Sequence, residues 1–549
     1  MARGAVVCAL LAGVSGFGGE ETALGEARRN LLTGRYVEAV ALARQALAEP
    51  VQGEDWPLVL IEGLMTTGRY AEARSVVTNA LAKDGRALRL RWAACDVFAM
   101  NGEPDQAAVM VREITELVSA QPWAYRDARD LVVFGRAALR AGADPKRVLQ
   151  RILDALRKAG AAERDALLAA GELALEKHDY ALAARTFQEG LETFPDDPDV
   201  QYGLARAYAP SEPALAQASI EAALKVNTNH VPALLLLADN AIDAEDQTAA
   251  EMWLDRVEAV NPRHPEAWAY RAVLARLRND PAREQAAREA AIQFWPTNPR
   301  VPYLIGRKLS QDYRFAEGSV LQREALACDP TFLPAKSQLA YDLLRLGEDE
   351  EGWRLAEEVH RQDGYDVAAL NLVTLRDTMR AYAALTNAHF IVRMTPREAA
   401  LYGARALELL ESARTRLAPK YGVTLDRPVR VEIFAEQKDF AVRTFGMPEN
   451  EGFLGVCFGP VITANSPAAR PGQPFNWESM LWHEFGHVVT LHLTRNKMPR
   501  WLSEGISVYE ERQANPAWGE RMTPTYREMI LGGDLTPMGE LSAAFLAPR

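Results

Sequence analysis

Eight histidines occur in 549 residues, and two of them stand four apart with a glutamate after the first: His483-Glu484-Phe485-Gly486-His487. On a helix, positions i and i+4 share a face, so both imidazoles can turn to one Zn²⁺ at ~2.0–2.1 Å. Glu484 then falls to the side, where it reaches a water on the metal instead of the metal itself. Chance gives this pattern about 0.016 times in a chain of this composition, even if every acidic residue counts as Glu. An open zinc site also needs a third protein ligand and one free position. The segment Pro499-Arg500-Trp501-Leu502-Ser503-Glu504-Gly505-Ile506-Ser507-Val508-Tyr509-Glu510-Glu511 follows. A turn over 494–499 brings this second helix back past the first, and Glu504 falls where the third ligand belongs.

The pair of segments resembles the gluzincin metallopeptidases of the peptidase MA group. In the zinc aminopeptidases of that group the second helix reads Trp-Leu-x-Glu-Gly, then an apolar residue, a small residue, x-Tyr-x-Glu. Trp501, Leu502, Glu504, Gly505, Ile506, Ser507, Tyr509 and Glu511 match it. The resemblance covers about 30 residues. It implies His483, His487 and Glu504 as zinc ligands, Glu484 as general base, and hydrolysis of a peptide or protein substrate. Glu510 and Glu511 lie roughly 9–10 Å further along the helix, so they cannot take the place of Glu504. Gly505 is expected to let the second helix approach the first closely.

The departures refine the expectation. The Gly-x-Met-Glu-Asn motif that holds a substrate amine is absent, which favours an endopeptidase. In its place stands Gly455-Val-Cys-Phe-Gly-Pro-Val-Ile-Thr-Ala-Asn465, a candidate edge strand for an extended peptide. The family takes its oxyanion donor, Tyr or His, from a later helix. No helical pattern follows Leu541, so the reading includes a chain cut short, and as its alternative a scaffold whose peptidase-like domain is inactive.

The remaining candidates have bland readings. His492 lies off the ligand face and reads as a surface or packing residue. Tyr509 reads as core. Glu511 reads equally as an acceptor that orients a ligand His or as a solvated acid. His230 and His264 recur in an Asn-x-x-His turn and read as structural.

The elements that position the motif are of two kinds. Near the motif, β-rich runs over 389–394, 428–434 and 453–463 alternate with a helix over 396–417 and the zinc helix from Trp477 to Arg495. Earlier, a 34-residue period dominates. Gly34, Gly68 and Gly102 keep it, as do Ala39, Ala73 and Ala107, then Pro262, Pro296 and Pro330, and Asn227 and Asn261. This resembles the tetratricopeptide repeat (TPR), a helix–turn–helix with small residues at the helix crossing. Turns near Gly34, Gly68, Gly102, Gly142, Asp179, Ser211, Asp246, Asp280, Tyr313 and Gly347 give about ten repeats, with an irregular unit over 121–160.

The expected fold class is mainly α: a TPR-type α-solenoid followed by a C-terminal α+β zincin-like peptidase domain. The expected boundaries are a signal segment over 1–22, repeats over 23–366, a linker helix over 367–384 and the peptidase domain over 385–549. Deleting 23–366 is expected to leave the zinc site bound. The array offers a concave surface to a protein partner.

Composition narrows the classes. The chain is 48% apolar and 25% charged with a net charge of -12, so it reads as globular and lacks the basic footprint of a nucleic-acid binder. Cys8, Cys95, Cys328 and Cys457 are too scattered for a disulfide framework. No apolar run spans a bilayer. Arg3, a short apolar run over 5–14 and small residues at 15–16 read as a weak export signal, with a cytoplasmic chain as the alternative.

Overall fold

The computed structural model describes residues 22–49, 53–154, 163–448, 452–518 and 523–546. The expected export signal lies outside them, apart from its last position. The chain divides into two compact units, Met1–Asp239 with Ala249–Asn298, and Asn240–Thr248 with Pro299–Arg549. Among the described residues no helix is long and apolar enough to cross a membrane.

The first unit is built of antiparallel helix pairs, such as Asp55–Thr66 with Tyr70–Lys83 and Leu88–Ala99 with Pro104–Ala120. The turns at Gly34, Gly68 and Gly102 have φ of +77°, +72° and +76°, which a residue without Cβ adopts freely. Where the turn lacks Gly, the left-handed residue is His178, Glu245 or Asn279, one place before the aspartate expected there. Asp179 and Asp280 instead cap the next helix, accepting from the Leu182 and Arg283 amides. Ala39 and Ala73 are fully buried at helix crossings. The irregular unit contains the helix Ala128–Arg140, and Pro145–Val148 running into a π turn over Leu149–Leu153.

The recurrent asparagines have a second use. Asn227 Nδ2 donates to the Tyr36 hydroxyl and Asn261 Nδ2 to that of Tyr70, each at 3.1 Å across 191 positions. A Cβ on Gly34 or Gly68 would meet the Asn Oδ1 at 2.2 Å. The same glycines thus satisfy both the turn and the docking of a distant repeat.

The second unit holds a five-stranded sheet in the order β1-β2-β3-β5-β4. Its strands are β1 (Ala383–Thr386), β2 (Phe390–Met394), β3 (Val429–Phe434), β4 (Gly455–Cys457) and β5 (Val461–Asn465). β2, β3 and β5 run parallel, while β1 and β4 are antiparallel edges. Its helices are numbered here from α1 (Ala404–Lys420), α2 (Gln437–Phe445), α3 (Trp477–Thr494) and α4 (Arg500–Ala514) to α5 (Pro524–Gly532). A short helix, Leu541–Leu546, stands where the sequence shows no helical pattern; six residues are too few for one.

Both faces of the sheet are covered, so β3 is buried along nearly its whole length, the charged Glu432 included. On one face, Phe390, Val392 and Val431 share a core with Leu410 and Leu417 of α1 and with Leu481, Phe485 and Val488 of α3. On the other, Phe434, Phe440, Phe458 and Val461 share a core with Leu343, Leu344, Trp353, Leu355 and Leu375. Those last five residues come from helices of repeat type, Leu333–Arg345, Asp349–Gln362 and Val367–Met379. The expected linker helix over 367–384 ends at Met379, and β1 begins at Ala383 within its last residues.

This shared core bears on the expected tolerance to deletion. Removing 23–366 would strip Leu343, Leu344, Trp353 and Leu355 from the sheet. A chain starting at Val367 should lose near-UV circular dichroism and cooperative thermal unfolding. A chain starting at Asn240 should keep both.

Candidate metal centre

α3 is apolar on nearly all sides because it lies between the sheet and α4. Asn476 caps its start, accepting from the Ser479 amide at 3.2 Å. Its end is fixed by two left-handed residues, Arg495 and Asn496, and Asn496 Nδ2 donates to the Tyr313 carbonyl at 2.6 Å. α4 then returns alongside α3. The close approach falls at Gly486, where a Cβ would meet Ser507 Oγ at 2.7 Å and its Cα at 3.3 Å. Gly505, expected to serve that purpose, has nothing within 4 Å of a built Cβ.

The helix pair brings His483, His487 and Glu504 together, with one ligand atom from each within 4.8 Å of the others. His483 Nε2 lies 3.0 Å from Glu504 Oε2 and 3.0 Å from His487 Nε2. His487 Nε2 lies 3.3 Å from the same carboxylate oxygen. Ligands at ~2.0–2.1 Å from a tetrahedral Zn²⁺ stand ~3.3 Å apart, so the spacing suits that ion.

The other nitrogen of each imidazole is engaged. His483 Nδ1 lies 2.5 Å from Glu511 Oε1, and Ser479 Oγ donates to Glu511 Oε2 at 2.5 Å. His487 Nδ1 is 2.9 Å from Ser503 Oγ, which pairs with Thr490 Oγ1 at 2.7 Å. Such partners fix ring orientation and leave Nε2 toward the centre. Glu511 is therefore the orienting acceptor, not a solvated acid. Glu510 turns elsewhere, to Lys420 and the Tyr421 hydroxyl.

Glu484 is buried, and its Oε2 has no hydrogen-bond partner. β4 covers it closely: a Cβ on Gly455 would come within 2.7 Å of Glu484 Oε1. Burial pushes the Glu484 carboxyl up, while the two imidazoles pull it back. Burial works against a charged His483, but Glu504 and Glu511 outweigh it and hold that imidazole up at about 10. Burial likewise raises Glu504, and its hydrogen bonds to His483 and His487 bring it well below the usual carboxylate range. The cluster is thus a place that favours positive charge.

Other sequence candidates fall outside the cluster. His492 is exposed at the end of α3. Tyr509 is 53% exposed and carries Lys420 over its ring, so it is not core. His230 is buried and lies 3.0 Å from Asp199 in the first unit. The sequence reading missed Ser479, Ser503 and Ser507. Ser479 stands one turn before His483, and Ser503 and Ser507 are one turn apart on the α4 face toward α3, which is the signal that could have found them.

No family model matches the chain, and no curated protein matches it in sequence. Solved structures do resemble it. The Cut9-Hcn1 hetero-tetramer of the APC/C is 14% identical over 59% of this chain, with a TM-score of 0.36; the chain spans 63% of that protein's length. A thermophilic TPR protein of Thermus thermophilus is 19% identical over 32% of this chain and 97% of its own, with a TM-score of 0.27. Yeast Tom70 is 14% identical over 65% of this chain and 89% of its own, with a TM-score of 0.26.

The helix contact yields a stability test. Gly486→Ala should cost about 1–3 kcal/mol in urea unfolding, the usual scale of overpacking. Gly505→Ala should be neutral or gain up to about 1 kcal/mol, because helix propensity is then the main change.

Proposed function

We propose that the chain is a protein-binding repeat scaffold carrying a zinc-dependent peptidase centre in its α+β domain, of the zincin type. The scaffold part rests on the helical-repeat architecture, whose paired helices present extended surface to a protein partner. The peptidase part rests above all on Glu484: a buried carboxylate with an unpartnered oxygen, one residue from His483, beside two imidazoles and a carboxylate at tetrahedral spacing.

The donor set fits zinc. Two imidazole nitrogens and one carboxylate oxygen, with a further position left open, are the ligands of a catalytic site. His483, His487 and Glu504 would hold the ion, and Glu511, Ser503 and Ser507 would orient the imidazoles. A bound zinc ion supplies Lewis acidity and eases loss of a proton from water near neutral pH. Glu484 accepts that proton as the water oxygen bonds to the substrate carbonyl carbon. It then delivers the proton to the departing amine nitrogen as the C–N bond breaks. Among the described residues β4 pairs with β5 alone, so its other edge would take an extended peptide by backbone hydrogen bonds. Without an amine-binding motif, cleavage within a chain is the favoured outcome.

A second reading is a scaffold with an inactive domain. It is favoured by α5, the helix that follows α4, none of whose residues is buried.

Metal analysis should find about one Zn²⁺ per chain, and His483→Ala or Glu504→Ala should lose it. Glu511→Ala should weaken zinc by about 10–100-fold. Glu484→Gln should keep the metal and lose cleavage of an unstructured protein such as casein. Zinc at one equivalent with no cleavage by the unaltered chain would leave the scaffold reading; zinc far below one equivalent would sink the metal centre.

A further inference from the structure

Arg500 opens α4 one turn before Glu504, and its guanidinium lies beside that carboxylate. Its Nε lies 3.9 Å from Glu504 Oε1, too far for a hydrogen bond. Its guanidinium carbon stands 5.9 Å from the centre of the Tyr313 ring. Among the described residues it makes no hydrogen bond, and 40% of its side chain is exposed. Other arginines of the same unit differ. Arg345 donates to the Thr444 carbonyl and Arg443 to that of Leu344.

The ring beneath Arg500 is itself fixed. Tyr313 has φ +61°, uncommon for a bulky side chain, at a turn where other repeats carry Gly. Its carbonyl is tied to Asn496, and its ring lies 5.4 Å from Phe315 and 6.2 Å from Phe458. The guanidinium therefore stands on a rigid support with its donors unspent. Glu504 cannot use them fully, because its Oε2 is engaged by both imidazoles.

We propose that Arg500 receives a carboxylate of the substrate beside the bond that Glu484 helps to hydrolyse. The planar guanidinium fork matches a carboxylate with two parallel hydrogen bonds. Arg500 and Glu504 are one helical turn apart, about 6 Å along the axis, so the carboxylate belongs within one or two residues of the cut bond. Its source is either an Asp or Glu side chain or a free C-terminus. This proposal rests on the peptidase reading.

The test uses the zinc-loaded full chain and otherwise identical fluorogenic peptides with Glu or Gln beside the cut bond, each with a free or amidated C-terminus. The unaltered chain should prefer one carboxylate form by at least about tenfold in kcat/KM, the scale of one hydrogen bond to a charged group. A preference for Glu assigns the side chain; a preference for the free terminus assigns the terminal carboxylate. Arg500→Gln should collapse the ratio toward one, and Arg500→Lys should retain part of it, at equal zinc content. Equal rates on all peptides with the unaltered chain overturn the proposal. So does a loss of kcat in Arg500→Gln that leaves the ratio intact, which would mark a charge effect on the reaction in place of carboxylate binding. If no peptide is cut, the peptidase reading fails, and fluorescence anisotropy decides the present one. Tighter binding of the carboxylate form that vanishes in Arg500→Gln supports it; equal affinities overturn it.

Discussion

A carboxylate sealed from water with an unpaired oxygen costs several kcal/mol unless charge or hydrogen bonds offset it. Glu484 is such a group, and much of the α+β domain is arranged around it. Its neighbours on β4 and α3 are Gly455 and Met480, which offer it no hydrogen bond. The compensation comes from His483 and His487, whose charge works against the upward push of burial. Glu504 and Glu511 in turn hold the His483 imidazole up against burial. Removing either acid therefore alters more than one contact.

The same requirement explains the density of α3. A helix that keeps a carboxylate dry must be enclosed, and its residues from Ser479 to Leu491 are buried with the exception of His483, which is only partly covered. Enclosure on the α4 side depends on one missing Cβ, at Gly486. The sequence suggested Gly505 for that task, by its place beside Glu504. Helical phase decides otherwise. Ser503, Ser507, Glu510 and Glu511 are the buried residues of α4, and Gly505 lies off their stripe. Proximity in sequence to a ligand does not place a residue on the ligand's face.

The legible parts were those with strict local rules. The 34-residue period shows itself because each turn demands a left-handed residue, and Gly34, Gly68 and Gly102 advertise it. The pair of His residues and Glu504 show themselves because an i, i+4 pair on one helix and an acid on the returning helix form a recognisable spacing. What stayed hidden depends on partners far along the chain. Asn227 and Asn261 were visible as recurrent, but not as the dock for Tyr36 and Tyr70. The packing of Trp353 and Leu343 under the sheet had no local signature, since an amphipathic helix shows which face is apolar and not what covers it. β1 was hidden in an expected linker because four residues give too short an alternation to read. Glu511 stayed open for a similar reason, since its burial depends on the rotation of α4 against α3.

Tyr313 joins these two classes of feature. As a turn residue it fits the repeat period, and a Gly would satisfy the turn at lower strain. The bulky ring is retained in a left-handed conformation, which persists only where the surroundings over-determine it. Here they do: Asn496 holds its carbonyl, Phe315 and Phe458 flank its ring, and Arg500 lies over it. Asn496 ends α3 and Arg500 begins α4, so one repeat turn touches both ends of the hairpin that carries His483, His487 and Glu504. A shift of that repeat would have to break a 2.6 Å hydrogen bond or carry the hairpin with it. Coupling between the repeats at 299–379 and the cluster thus has a physical carrier, and by linkage it acts equally in both directions.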